Sequence, residues 1–230
     1  RFVCPSTLKT LEALVSGATL EDVPRGGTSC GAAMRVAALA IALPDRAELE
    51  SQVVASCSVS HFTKAAISGA MAMAFALSEA LASEGDLDRM AAAARDGVRL
   101  GYRHGAWSWS APLDKRVDHA MRWARELEEE QVLSNVYELI GVDMYADQLV
   151  PGALALAAVA GNDPNRAMLL AANLGGDSDT LASMAGSLSG AINGVGAIDA
   201  GWLATVERVN DIEVASIAER LVAMRERRSR

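Results

Sequence analysis

The chain has 230 residues and a mass of 24.1 kDa, which is enough for one sizeable core and short for two domains. Hydrophobic residues make up 51% and aromatic residues 4%. Because alanine is abundant and alternating β-branched runs are scarce, this composition predicts an all-α fold. The formal net charge of -8 argues against a broad nucleic-acid surface, since phosphate contacts need clustered Lys and Arg.

The cysteines and the apolar runs indicate the cellular compartment of the protein. Cys4, Cys30 and Cys57 are too few and too scattered for a disulfide framework or a zinc site, which fits reduced thiols in the cytoplasm. Residues 1–15 lack the apolar run and cleavage site of a signal peptide. The uncharged run 180–198 contains several serines and glycines, which favours a buried helix over a membrane span. We expect a cytoplasmic protein with one domain over residues 1–230.

The predicted helices of the N-terminal half surround a glycine-rich loop at residues 18–31. Apolar spacing and stop signals predict helices over residues 6–17, 32–43, 45–60 and 63–83. A glycine-rich turn at a helix start can present backbone N–H groups to an anion, although an ordinary turn is the commoner use. No strand precedes the loop and no Gly-Lys-Ser/Thr follows it, so neither a dinucleotide fingerprint nor a Walker loop is present.

The C-terminal half predicts further helices and one aromatic loop. The helices are expected over residues 86–99, 115–139, 148–160 and 203–228, and residues 165–173 lead into the acidic stretch that follows them. Trp107 and Trp109 lie on the loop 101–114, where covering one end of the core is the favoured interpretation and stacking on an adenine ring the alternative. Asp143 and Asp147 are spaced for one helical face, and we expect helix-surface charges there and not an acid pair.

The most informative stretch is the acidic turn at residues 173–180. Asp177, Asp179 and Thr180 offer two carboxylates and a hydroxyl, the kind of oxygen ligands that Mg²⁺ or Mn²⁺ takes. Two glycines before them allow a sharp turn, and a helix with a small residue at every fourth position from 182 to 194 follows. Capping of that helix by the aspartates explains the same residues, and on local chemistry alone it is the commoner use.

Four motifs together resemble the ADP-ribosylglycohydrolase family. The run Gly175-Gly-Asp-Ser-Asp-Thr180 resembles its C-terminal metal signature, and Gly31-Ala-Ala-Met-Arg35 resembles its glycine loop. Ser60-His61 is similar to its Ser/Thr-His element, and Val150-Pro-Gly-Ala153 to the segment that usually precedes the metal signature. The similarity covers most of residues 8–205 and implies a compact domain of orthogonally packed helices.

The resemblance implies a metal-dependent hydrolase that cleaves the glycosidic bond between ADP-ribose and an amino-acid side chain or related acceptor. Its substrate would be an ADP-ribosylated protein or a small ADP-ribose conjugate, and its cofactors two Mg²⁺ or Mn²⁺ ions. The implied metal ligands are Asp177, Asp179 and Thr180. The residues expected to shape the ADP-ribose pocket are Ser29, Gly31, Ala32, Met34 and His61. Cys30 stands where the family usually has asparagine, and a thiol is the weaker hydrogen-bond partner.

One half of the family's metal site has no counterpart in the sequence. The family supplies further ligands from an N-terminal Thr-Asp-Asp-Thr element, and no Asp-Asp pair occurs here. The chain begins with Arg1, so we expect either an upstream segment that completes the site or a protein that has lost it. No residue can therefore be assigned as the general base. The alternatives are a catalytically incomplete relative that binds ADP-ribose or a similar nucleotide, a structural protein, and an unrelated helical protein whose aspartates only cap.

Overall fold

The computed structural model describes residues 4–23, 25–83, 85–161 and 163–229. Within these ranges it has twelve α-helices and no β-strand, so the all-α prediction is confirmed. The helices are α1 (Pro5–Val15), α2 (Ala37–Ala42), α3 (Arg46–Ser58), α4 (Lys64–Ala82), α5 (Leu87–Gly101), α6 (Leu113–Glu126), α7 (Glu129–Asn135), α8 (Ala146–Val159), α9 (Pro164–Asn173), α10 (Ser178–Asn193), α11 (Ala200–Asn210) and α12 (Val214–Arg228). A π-helical segment spans Val136–Ile140, and short 3₁₀ turns span Ala33–Arg35 and Val195–Ala197.

Two long predicted helices are broken in the structure. The segment 115–139 divides into α6, α7 and the π-helical segment, because Glu128 starts a new helix in which Gln131 Oε1 accepts a hydrogen bond from its backbone N–H at 3.2 Å. The segment 203–228 divides into α11 and α12, because Asp211 adopts a left-handed backbone with φ of 54°. Apolar spacing continues across both breaks, so periodicity alone predicted single helices.

Helix α4 lies at the centre of one hydrophobic core shared by most of the other helices. Phe75 and Met71 of α4 are almost fully buried. Helix α5 approaches α4 very closely, since a Cβ at Gly97 would lie 2.5 Å from the carbonyl oxygen of Met71. This close packing makes α4 and α5 the rigid base on which the neighbouring loops are held.

Helix α4 is also long and apolar enough, by length and composition, to cross a membrane. In the structure 78% of its apolar window is buried inside the protein, which accounts for its hydropathy by packing. The uncharged run predicted as a buried helix forms α10 and the turn after it. Leu181, Met184 and Leu188 of α10 are buried, so that prediction is confirmed.

Helices α8, α9 and α10 pack together and carry the acidic turn. Gly152 of α8 lies against the side chain of Leu181 on α10. A Cβ at Gly186 of α10 would lie 2.7 Å from Cγ of Met168 on α9, so the small residue is needed for this approach. Gly186, one member of the stripe of small residues on α10, therefore admits α9. The acidic turn connects these two helices.

The tryptophans on the loop between α5 and α6 do not cover the core. The exposed fractions of Trp107 and Trp109 are 65% and 86%, and their rings meet edge to face with centroids 4.7 Å apart. The interpretation as a core cover is wrong, because Leu113 takes the buried position at the start of α6. The carboxylate of Asp147 holds the loop by accepting a hydrogen bond from the backbone N–H of Ala111 at 2.6 Å.

Asp143 and Asp147 do not share a helical face. Asp147 lies in the first turn of α8, whereas Asp143 precedes that helix. The carboxylate of Asp143 accepts a hydrogen bond from the backbone N–H of Met144 at 2.8 Å. Their spacing suggested one helix because the segment before α8 contains no proline or glycine breaker after Gly141.

Candidate functional site

The glycine loop, residues 26–31, is held between two other segments of the chain. The backbone N–H of Gly27 donates to the carbonyl oxygen of Ser60 at 3.2 Å, and that of Cys30 donates to the carbonyl oxygen of Met144 at 2.7 Å. Isolated β-bridges add to the pairing on both sides of the loop. The loop therefore has a fixed register relative to the segment before α4 and the segment before α8.

His61 lies fully buried behind this loop. Its Nε2 is 2.8 Å from Ser29 Oγ, and its Nδ1 is 2.7 Å from Ser60 Oγ. A Cβ at Gly31 would lie 3.0 Å from Nε2, so a side chain there would press on the ring. Burial lowers the pKa of His61 from 6.5 to about 4, and the positive charge of Arg35 adds to the effect. The imidazole is neutral at pH 7 and orients the Ser29 hydroxyl.

The acidic turn enters α10 through two glycines with positive φ. Gly175 has φ of 89° and Gly176 has φ of 64°. A Cβ at Gly176 would lie 2.1 Å from the carbonyl oxygen of Val142, so this position requires glycine. The backbone N–H of Asp177 donates to the same oxygen at 2.8 Å. The turn and the glycine loop are thus both tied to the short segment that precedes α8.

Asp177 occupies the N-cap position of α10, but its carboxylate does not cap the helix. Its Oδ1 accepts a hydrogen bond from Thr180 Oγ1 at 2.9 Å, and its Oδ2 accepts one from Cys30 Sγ at 3.3 Å. Burial, and then the negative charge of Asp177, raise the pKa of the Cys30 thiol, so the thiol remains protonated and donates. The capping alternative therefore does not describe Asp177, whose carboxylate lies against the glycine loop.

A cavity of about 340 Å³ unites the acidic turn with the glycine loop. Its wall contains most of the predicted site residues, namely Ser29, Gly31, Met34, Asp177, Asp179 and Thr180. Ala32 and His61 do not line it, because both are fully buried. Ala32 packs in the hydrophobic core, and His61 reaches the cavity through two residues that line it, Ser29 and Cys4.

Four lining residues were not predicted as site residues: Cys4, Pro5, Cys30 and Met144. Cys4 and Pro5 start α1, and the Cys4 Sγ lies 3.6 Å from Ser29 Oγ across a sequence separation of 25 residues. No motif in the sequence links the start of α1 to the glycine loop. The backbone bond between Cys30 and Met144 likewise joins segments that carry no shared signal.

The acidic turn fits a hard cation in part. Asp177, Asp179 and Thr180 present oxygen atoms to one cavity, and such ligands suit Mg²⁺ or Mn²⁺ better than zinc. Over the described ranges, no group of three or more His, Cys, Asp or Glu side chains is placed to hold a metal ion. Octahedral coordination would therefore draw its other oxygens from water, from a ligand or from further protein groups.

A second, more open cavity of about 620 Å³ adjoins the glycine loop. Thr28 and Tyr145 line it, and each is the chain neighbour of a residue that lines the first cavity. Its other lining residues include Trp109, Arg116 and Gln148. Arg116 is held by donating from Nη1 to the carbonyl oxygen of Asp147 at 2.8 Å. The glycine loop therefore borders both cavities.

These features define an all-α protein in which a carboxylate turn and a glycine loop share one cavity. The sequence model of a family described as ADP-ribosylglycohydrolase matches residues 2–230. The chain therefore belongs to the ADP-ribosylglycohydrolase family, as its motifs indicated.

Individual proteins of known sequence or structure agree with this assignment. The chain is 32% identical over 231 residues to the uncharacterized protein YegU of Escherichia coli, covering 97% of this chain and 68% of YegU. It is 24% identical over 216 residues to human ADP-ribosylhydrolase ARH3, covering 83% of this chain and 57% of the human protein. A solved structure described as an ADP-ribosylglycohydrolase-related protein complex superposes with a TM-score of 0.69 at 25% identity, covering 99% of this chain and 70% of that one. All three are thus longer than the part they share with this chain.

Proposed function

We propose that this chain forms the ADP-ribose site of a metal-dependent glycohydrolase, which cleaves the bond between ADP-ribose and an amino-acid side chain or related acceptor. The observation that carries the proposal is the carboxylate of Asp177, which leaves the helix end uncapped and faces a cavity shared with the glycine loop. A carboxylate with only a structural role would stabilise the fold more by capping the helix. The family assignment supports the same class of reaction.

The predicted metal ligands, Ser29 and His61 have proposed roles in this reaction. Asp177, Asp179 and Thr180 would hold Mg²⁺ or Mn²⁺, and two ions are expected in a complete site. A bound divalent cation supplies positive charge that orients sugar hydroxyls and stabilises developing negative charge. Ser29, oriented by neutral His61, would donate to or accept from the ligand at the other side of the cavity.

The pocket for ADP-ribose would extend over the glycine loop into the second cavity. Ser29 and Gly31 line the first cavity, and Met34 borders it with 50% of its surface exposed. Trp109 offers an exposed indole face on which an adenine ring could stack, a contact worth roughly 1–3 kcal/mol per base. Trp109→Ala should therefore weaken ADP-ribose binding about tenfold while leaving metal binding unchanged.

The location and organisation of the chain also belong to the proposal. One hydrophobic cluster includes residues from α2 to α10, which supports a single domain over residues 1–230. All three cysteines are unpaired, which supports a reducing compartment such as the cytoplasm. The natural substrate would be an ADP-ribosylated protein or a small ADP-ribose conjugate.

A second candidate function is ADP-ribose binding without turnover. The incomplete set of metal-ligating side chains over the described residues favours it, because a single turn supplies few of the oxygens that two ions require. Cys30 favours binding without turnover as well, because its S–H donates to Asp177 Oδ2 and therefore is not free for a substrate.

The two functions are separated by measuring binding and turnover on the same preparation. Calorimetry with ADP-ribose and Mn²⁺ should show binding, and ADP-ribosylated arginine should release ADP-ribose only when the metal is present. Binding without release would identify the non-catalytic protein. Neither binding nor release, with the folded state verified by circular dichroism, would contradict both functions.

A further inference from the structure

Cys4 and Cys30 line the same cavity, and both adjoin Ser29. Cys4 Sγ lies 3.6 Å from Ser29 Oγ, and Cys30 follows Ser29 in the chain. We propose that these two cysteines form a reversible disulfide when the protein meets hydrogen peroxide, and that this bond closes the cavity to ADP-ribose. The effect on ADP-ribose rests on the proposed function, whereas formation of the disulfide does not.

Cys4 is the cysteine placed to react with peroxide first. It lines the cavity and is partly exposed, whereas Cys30 and Cys57 are only 3% and 0% exposed. Partial burial raises the pKa of Cys4, but hydrogen bonds from Ser29 and from the first turn of α1 outweigh burial, and the net pKa is lowered. His61 Nε2 lies 3.9 Å from its sulfur and completes a polar surrounding. The thiolate is the reactive form, so this cluster favours oxidation at Cys4.

The chemistry takes place in two balanced steps. The Cys4 thiolate attacks one peroxide oxygen, so that an S–O bond forms, the O–O bond breaks, and the departing hydroxide takes up a proton to become water. Cys4 is oxidised to a sulfenic acid by two electrons, and the peroxide is reduced. The Cys30 thiol then passes its proton to its hydrogen-bond acceptor, Asp177 Oδ2, as its sulfur attacks the Cys4 sulfur. The S–O bond breaks, and the hydroxide takes up that proton and leaves as water.

Few contacts hold the start of α1, so Cys4 can approach Cys30. A disulfide needs a Cα separation below about 7 Å. Leu8, Leu11 and Val15 of α1 are exposed, and over the described residues α1 has no extensive contact with another helix. A helix with so few buried contacts shifts at low free-energy cost.

Closing this bond would alter the site at two points. The disulfide removes the S–H that Cys30 donates to Asp177 Oδ2 at 3.3 Å. It also joins Cys4 to Cys30 across the cavity wall next to Ser29, which lines the space proposed for ADP-ribose. Oxidation would therefore disturb a proposed metal ligand and narrow the cavity at the same time.

Peptide mapping without reducing agent tests the bond directly. After treatment with a small excess of hydrogen peroxide, we expect a linked pair of peptides containing Cys4 and Cys30 that has lost two hydrogens. Cys4→Ser should abolish the linked pair. Cys57→Ala, which changes a buried cysteine outside the cavity, is the matched control and should retain it.

Calorimetry on the same samples tests the consequence. ADP-ribose affinity should fall at least about tenfold on oxidation and recover with dithiothreitol, whereas Cys4→Ser should lose this response. Oxidation of Cys4 to a sulfinic acid without a linked peptide would overturn the disulfide, and a linked peptide with unchanged ADP-ribose affinity would overturn the closure. If the reduced protein binds no ADP-ribose, the proposed function fails, while the peptide map still decides whether the disulfide forms.

Discussion

Two aspartates stand at the start of neighbouring helices and use their carboxylates in different ways. Asp163, before α9, accepts hydrogen bonds from the backbone N–H groups of Asn165 and Arg166 at 2.9 and 3.1 Å. Asp177, before α10, makes no such bond and instead contacts Thr180 and a cysteine of the glycine loop. The same residue type at the same helix position is a cap in one case and a cavity wall in the other.

The backbone before each helix explains the difference. Asp163 has an extended conformation, with φ of -121° and ψ of 98°, as a capping residue requires. Asp177 has ψ of 56°, because two glycines with positive φ precede it and the carbonyl of Val142 holds its N–H. A cap worth about 1 kcal/mol is thereby given up in exchange for a carboxylate in the cavity, as is typical of functional sites.

The largest expected effect is the loss of metal binding on removing the charge of Asp177. Asp177→Asn should abolish the rise in melting temperature that Mn²⁺ produces and lower hydrolysis at least about 100-fold, because a metal ligand is lost. Asp163→Asn is the control and should keep both properties, since asparagine caps as well as aspartate. An undiminished Mn²⁺ response in Asp177→Asn would show that the two aspartates do not differ in function.

The turn geometry itself is tested by Gly176→Ala. A Cβ there would meet the carbonyl oxygen of Val142 at 2.1 Å, and φ is 64°, so we expect urea unfolding to show a loss of about 3 kcal/mol or more. Gly194→Ala is the control, because its φ is 76° but no atom lies within 4 Å of the new Cβ. That variant should lose only about 1 kcal/mol. Equal losses would mean that the contact with Val142 does not hold the turn.

His61, which lies behind the glycine loop, should make the free energy of unfolding depend on pH. Its pKa falls from 6.5 to about 4 on folding, so unfolded chains bind more protons in that range. The contribution of neutral His61 to the free energy of unfolding is complete above pH 6.5 and is lost as the pH falls through 4. Its total is on the order of 3 kcal/mol. Urea unfolding between pH 7 and 4 should show a steeper decline for the natural chain than for His61→Asn. Nitrogen-15 NMR showing a protonated His61 ring at pH 5.5 would contradict this.

The smallest expected effect is a difference between the two aspartates in their contribution to the free energy of unfolding. Asp163→Ala should lower the free energy of unfolding by about 1 kcal/mol, because a helix cap is lost. Asp177→Ala, measured in the presence of a metal chelator, should change it by less than about 0.5 kcal/mol. No backbone amide loses its partner, and water entering the cavity replaces the carboxylate as the acceptor for Thr180 and Cys30. Equal losses in chemical denaturation would assign a capping role to Asp177 after all.

The helices themselves were largely predictable, and the exceptions have local causes. Apolar periodicity and stop residues predicted α1, α3 and α4 within a few residues of their observed bounds. The breaks at Glu128 and Asp211 were missed, because a capping interaction and a single left-handed residue interrupt the helix without interrupting its apolar pattern.

The site could be predicted by residue type but not in its contacts. The acidic turn and the glycine loop were singled out from their chemistry, and the structure brings them to one cavity. Cys4 carried no signal, since its proximity to Ser29 depends on where α1 packs. Trp109 was expected to be buried, because large aromatic residues usually are, yet the loop that carries it points away from the core.

The sequence by itself determined that the chain is helical, where glycines permit sharp turns, and which side chains can offer hard oxygen ligands. These properties depend on each residue and its near neighbours. Only the tertiary structure decided that Asp177 faces a cavity, because its hydrogen-bond partner Cys30 lies 147 positions earlier in the chain. A carboxylate takes whichever donor the packed helices bring to it, and packing is a property of the whole fold.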